Sequence, residues 1–76
     1  MEKRLLGRIN TTHHVMVGKP VIRGTRVPVE LIARMVAQGI PEKDILQEYP
    51  RLQPDDILAA LTYAADVLTQ EDVLPR

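Results

Sequence analysis

The chain has no cysteine. A disulfide framework and thiolate metal sites are therefore excluded. It has no serine either. With both residues missing, the two commonest side-chain nucleophiles are gone, and an enzyme built on them is excluded with them. No apolar run approaches the ~20 residues that span a bilayer. The opening stretch, Met1 to Leu6, is interrupted at once by Gly7 and Arg8 and has no apolar core of signal-peptide length. The expectation is a cytoplasmic protein with no membrane partner.

What remains is 76 residues, 45% hydrophobic and 26% charged, the balance of an ordinary folded domain rather than a disordered chain. A domain this small buries only about 60% of its unfolded surface. Without staples, its stability must come from a compact core, from self-association, or from both. A homodimer or higher oligomer is expected.

The net charge is zero, but its halves are opposed. Residues 1–34 carry seven basic and two acidic groups; residues 35–76 carry three basic and eight acidic ones. Two explanations stand side by side. The basic front contacts nucleic acid, or the two halves attract each other within a chain or across a dimer.

Residues 1–28 read as strands and turns. Ile9, Thr11, Thr12, Val15, Val17, Val21, Ile22, Thr25 and Val27 are β-branched, and Gly7, Gly18, Pro20 and Gly24 punctuate them. Three helices follow, over 29–38, 41–49 and 54–69, with residues 70–76 as a tail. Pro28, Pro41 and Pro54 suit first turns, and Gly39 suits a helix end. Asp55 and Asp56 face the positive end of a helix dipole. The predicted fold is α+β, mainly α: a short N-terminal β segment followed by a three-helix, helix-turn-helix-like core in one domain. The expected core is Ile22, Val27, Ile32, Met35, Val36, Ile40, Ile45, Leu46, Leu52, Ile57, Leu61, Ala64 and Leu68. Ala59, Ala60, Tyr63 and Val67 form a second apolar face on the last helix. They are the candidate partner or oligomer interface.

No constellation converges on catalysis, and no enzyme activity, cofactor or small-molecule substrate is expected. His13 and His14 are adjacent, so a strand points them to opposite faces and no metal site is expected. The helix layout matches three-helix DNA-binding domains. Charge argues against the usual reading head, however. Lys43 sits among Glu42, Asp44 and Glu48, and residues 54–69 have three aspartates and no base. If DNA is bound, Arg8, Lys19, Arg23 and Arg26 of the front segment are the candidate contacts, as a ribbon or arm.

One string is distinctive: Gly18-Lys19-Pro20-Val21-Ile22-Arg23-Gly24-Thr25-Arg26-Val27-Pro28-Val29. Gly39-Ile40-Pro41, Ile45-Leu46, Tyr49-Pro50, Asp56-Ile57, Ala59-Ala60-Leu61 and Tyr63-Ala64-Ala65 follow it. Together, over residues 9–68, they closely resemble domain-of-unknown-function family 433. The resemblance implies a homeodomain-like three-helix fold behind short strands. It also implies kinship with antitoxins of type II toxin–antitoxin pairs, which occlude a PIN-like ribonuclease toxin and repress their own promoter. The alternative is an oligomerising protein-interaction module of helix-turn-helix shape with no DNA binding. The chain departs from the family at Thr12, His13, His14 and Val17, and at Pro41 and Gln53, where a Ser or Thr cap is common.

Overall fold

A computed structural model describes residues 3–11 and 19–70. His13, His14, Gly18 and the tail from residue 71 lie outside that set. Six elements follow in order: α1 (Lys3–Leu6), β1 (Ile9–Asn10), β2 (Val21–Ile22), α2 (Val29–Ala37), α3 (Glu42–Glu48) and α4 (Pro54–Gln70).

The single turn α1 corrects the expectation of strands and turns throughout residues 1–28. Lys, Arg and Leu are all strong helix formers, and the turn ends at Gly7, whose amide donates to the Lys3 carbonyl. It is held by burial of Leu5 against α4 rather than by its own length.

The strands pair antiparallel within one chain, Ile9 opposite Ile22 and Asn10 opposite Val21. The other flank of β2 is also occupied. Ile22 donates to the Val27 carbonyl at 3.0 Å, and Val21 bridges to Pro28. The intervening turn needs Gly24, whose φ of +83° is a left-handed value. Thr25 locks it: its hydroxyl donates to the Ile22 carbonyl at 2.7 Å and accepts the Val27 amide at 3.0 Å.

Each long helix begins at a proline. Pro28 and Pro41 are the capping residues of α2 and α3, and Pro54 is the first residue of α4. None of the three has an amide to leave unpaired. α2 ends in a Schellman motif. Gly39 takes φ +87°, its amide donates to Val36, and the Ile40 amide donates to Met35. At the start of α4, Gln53 stands where a Ser or Thr cap is common. Asp56 compensates: its carboxylate accepts the Gln53 amide at 2.8 Å, one half of a capping box.

Ile22, Ile32 and Ile45 are the largest fully buried side chains and bring β2, α2 and α3 to one centre. α4 closes that centre and packs most extensively on α2. Ala59 and Ala60 lie in the core at 0% exposure, where their small size suits close packing. This corrects their assignment to a partner interface. The same geometry corrects the far end of the expected core. Leu61 and Ala64 are half-buried, and Leu68 is 70% exposed, because α4 outruns the elements it packs on.

Candidate partner-binding surface

The structure divides the four front-segment cations that are the candidate DNA contacts of a ribbon or arm. Arg8 turns inward. Its Nη1 donates to Asp56 at 2.8 Å and its Nη2 lies 3.8 Å from Asp55, with the Arg8 side chain 29% exposed. The Asp56 carboxylate, 5% exposed as a residue, also holds the Gln53 amide. Arg4 adds a second bridge to Asp55 at 2.7 Å. The start of α4, where a helix-turn-helix would meet DNA, is thus occupied by the chain's own cations. Arg8 is corrected from a candidate DNA contact to an internal tie, for the reason that two adjacent carboxylates face it across the packed α1–α4 contact.

Arg23 is exposed but anchored. Its Nε donates to the Gly7 carbonyl at 2.7 Å and its Nη2 to the Ile9 carbonyl at 3.3 Å. Carbonyls hold the guanidinium in place without cancelling its charge. Lys19 lies 3.5 Å from Glu30, which also faces Arg34 at 3.9 Å, all on the surface. Arg26 differs from the rest. It is exposed, and among the described residues no ion pair or hydrogen bond engages it.

Arg26 stands at the lip of an open groove of about 710 Å³. One wall is the turn after β2 and the start of α2, through Val27, Pro28 and Leu31. The other is the α3–α4 connection, through Tyr49, Pro50 and Arg51. Arg51 spans the two, donating to the Gly24 carbonyl at 3.1 Å. The groove therefore has an apolar floor and two guanidinium groups at its rim, with Glu48 the one carboxylate among its lining residues. Sequence reasoning missed this feature. Arg51 was not singled out, since nothing along the chain places it beside a turn 27 residues earlier.

Of the candidate interface residues, Tyr63 and Val67 are half-buried, and Tyr63 packs on the core. The most exposed apolar side chains of α4 are instead Leu58 and Leu68. Among the described residues, no three His, Asp or Glu side chains gather as metal ligands would, and no helix is long and apolar enough to cross a membrane. Every buried side-chain nitrogen or oxygen among them has a partner.

The comparisons agree with this fold. The crystal structure of a DUF433 member protein from Anabaena variabilis superposes with a TM-score of 0.76 at 30% identity, over 92% of this chain and 80% of that one. An uncharacterized protein of Sinorhizobium fredii, y4eO, is 38% identical over 56 residues, 74% of this chain and 25% of that protein. The chain thus spans about a quarter of the length of that curated relative. The profile of the family "Protein of unknown function (DUF433)" matches residues 9–64. The match takes in the paired strands, all of α2 and α3, and the part of α4 that closes the core, and on that basis the chain belongs to the DUF433 family.

Proposed function

We propose that this protein is a small regulator of the antitoxin kind. It acts by binding another protein, a PIN-like ribonuclease toxin, in the arginine-rimmed groove. The observation that supports the reading is Arg26, an exposed guanidinium without a partner among the described residues, beside Arg51 and over an apolar floor. A guanidinium is the group best matched to a carboxylate, by two parallel hydrogen bonds. The active site of an acidic ribonuclease offers such carboxylates, and apolar walls on either side would keep water from the pair. In this reading the helix-turn-helix shape is scaffold. Its second helix is acidic, and the carboxylates that open its third are bound to Arg4 and Arg8.

The test is to look for a PIN-like ribonuclease gene beside this one and to co-express the two; its absence counts against the reading. The protein should relieve the growth arrest the toxin causes and purify with it. Arg26→Glu should abolish both while leaving the fold intact. Failure of the wild-type protein to bind the ribonuclease overturns the reading.

A second reading, contact with promoter DNA, is favoured by the charge left on Arg23 and Arg26. Gel-shift titration against the DNA upstream of the gene decides it. A specific shift should weaken steeply with salt and fall in the Arg23→Ala, Arg26→Ala double variant. If no shift forms, the protein is a protein-interaction module alone.

A further inference from the structure

The rim of the groove holds two positive charges that no carboxylate among the described residues answers. Arg51 donates to the Gly24 carbonyl, which is neutral, and Arg26 has no partner there. A carboxylate is the stronger acceptor for either guanidinium. Below them lie Val27, Pro28, Leu31 and Tyr49, and Glu48 adds a single negative charge. A segment matched to this set carries two acids, then apolar side chains, then a base. The chain has such a segment in Glu71-Asp72-Val73-Leu74-Pro75-Arg76, which follows α4 directly and lies outside the described residues. Asp55-Asp56-Ile57-Leu58 begins alike, but its acids are held by Arg4 and Arg8, and Ile57 is buried. At about 710 Å³ the groove is within the ~300–1,000 Å³ of ligand-sized clefts, room for a short extended segment.

We propose that the groove of one copy takes residues 71–76 of a second copy. Glu71 and Asp72 meet Arg26 and Arg51, Val73 and Leu74 cover the apolar floor, and Arg76 answers Glu48. The length of α4 decides that the segment comes from a second copy. Its 17 residues put Gln70 about 24 Å from Pro54. The groove is at the Pro54 end, since Arg51 stands just before that residue in the chain. The four residues from Glu71 to Leu74 cover about 14 Å when fully extended, so they do not come back level with Pro54 of their own chain. Two copies with α4 antiparallel place each segment beside the other's groove. The contact then occurs twice and closes as a pair, as a two-fold interface requires. The pair and the proposed toxin use the same groove, so pairing keeps it occupied until a toxin displaces the segment. The pairing itself does not rest on the toxin reading.

Sedimentation equilibrium of the full chain from about 10 μM to about 1 mM is the test. The average mass should rise with concentration from the 8.6 kDa monomer toward twice that value. The Glu71→Lys, Asp72→Lys variant should stay at the monomer mass, and so should the Arg26→Glu, Arg51→Glu variant. Mixed in equal amounts, the two should associate again. The mixture sets the acidic segment of one against the basic groove of the other, and the basic segment against the acidic groove. Arg26→Glu alone keeps the Arg51 bond to Gly24 and serves where the double change disturbs that turn. It should weaken association by roughly tenfold or more, the loss of one charge-assisted hydrogen bond. A wild-type chain that stays monomeric at the top concentration overturns the proposal, as does association that survives the Glu71→Lys, Asp72→Lys change. A mixture that stays monomeric overturns the match of segment to groove. The Glu71→Lys, Asp72→Lys variant leaves the groove intact and should still relieve the growth arrest caused by the toxin, which separates the two readings. Loss of that relief would assign the segment to the toxin and overturn the pairing.

Discussion

Two neighbouring aspartates at the start of α4 have similar partners and very different surroundings, and that difference should be measurable. The Asp56 side chain is 7% exposed and holds two groups at 2.8 Å, the Arg8 guanidinium and the Gln53 amide. Asp55 is 44% exposed and meets Arg4, itself 53% exposed. Removing Asp56 deletes a charge-assisted hydrogen bond of about 1.5–3 kcal/mol and leaves the capping amide unpaired, at about 1 kcal/mol. Release from burial of the carboxylate returns part of this. The expected cost of Asp56→Ala is about 2–4 kcal/mol. An exposed pair contributes about 0.2–1 kcal/mol, so Asp55→Ala should cost no more than about 1. Urea denaturation at one fixed protein concentration reads the difference. With a slope of about 1 kcal/mol per molar for so small a domain, the midpoint should fall by about 2–4 M for Asp56→Ala and by less than about 1 M for Asp55→Ala. A double-mutant cycle of Arg8→Met with Asp56→Asn should give a coupling above about 1 kcal/mol. The cycle of Arg4→Met with Asp55→Asn should stay within about 0.5. Equal costs at the two positions, or a larger one at Asp55, would refute the assignment of the α1–α4 contact to Arg8 and Asp56.

The other expectations follow from packing and backbone geometry. Ala60→Leu places a large side chain at a core position of 0% exposure and should cost about 1–3 kcal/mol by overpacking, read by thermal unfolding. Ile45→Ala empties a fully buried site and should cost about 2–5 kcal/mol in the same assay. Leu61→Ala, whose side chain is half-buried, should cost nearer 1 kcal/mol, and a value above about 3 would place it in the core. Gly39→Ala meets no atom within 4 Å of its new Cβ, so its cost should be conformational alone, about 1–2 kcal/mol. Gly39→Asn should recover part of that, as a left-handed asparagine is tolerated.

Much of the architecture could be read along the chain because its signals are local. Apolar spacing, prolines and Gly39 place the three long helices to within a residue of where they lie. What escaped such reading depends on neighbours far away in sequence. α1 is too short to show a period. Alanine is ambiguous on a helix, equally suited to a surface and to a tight crossing, and only the packing of the other elements decides for Ala59 and Ala60. The apolar period of α4 continues through Leu68, although the elements that would cover it do not extend that far. Arg8 and Asp56 are 48 positions apart. The opposed charge of the two halves announced that attraction in general but not the residues that make it. The groove shares the same difficulty, as Arg26 and Arg51 meet only once α3 has turned the chain back.

The prolines at the head of α2, α3 and α4 act as stops on a sliding scale. To shift any of these helices by a few residues toward its N-terminus would draw its proline into the interior, at a cost of about 3 kcal/mol or more. None of these helices can therefore lengthen at its N-terminus. Substitutions accumulating along the rods leave their frames in place, and the ties between Arg8 and Asp56, and between Arg51 and the Gly24 turn, keep meeting at the same height.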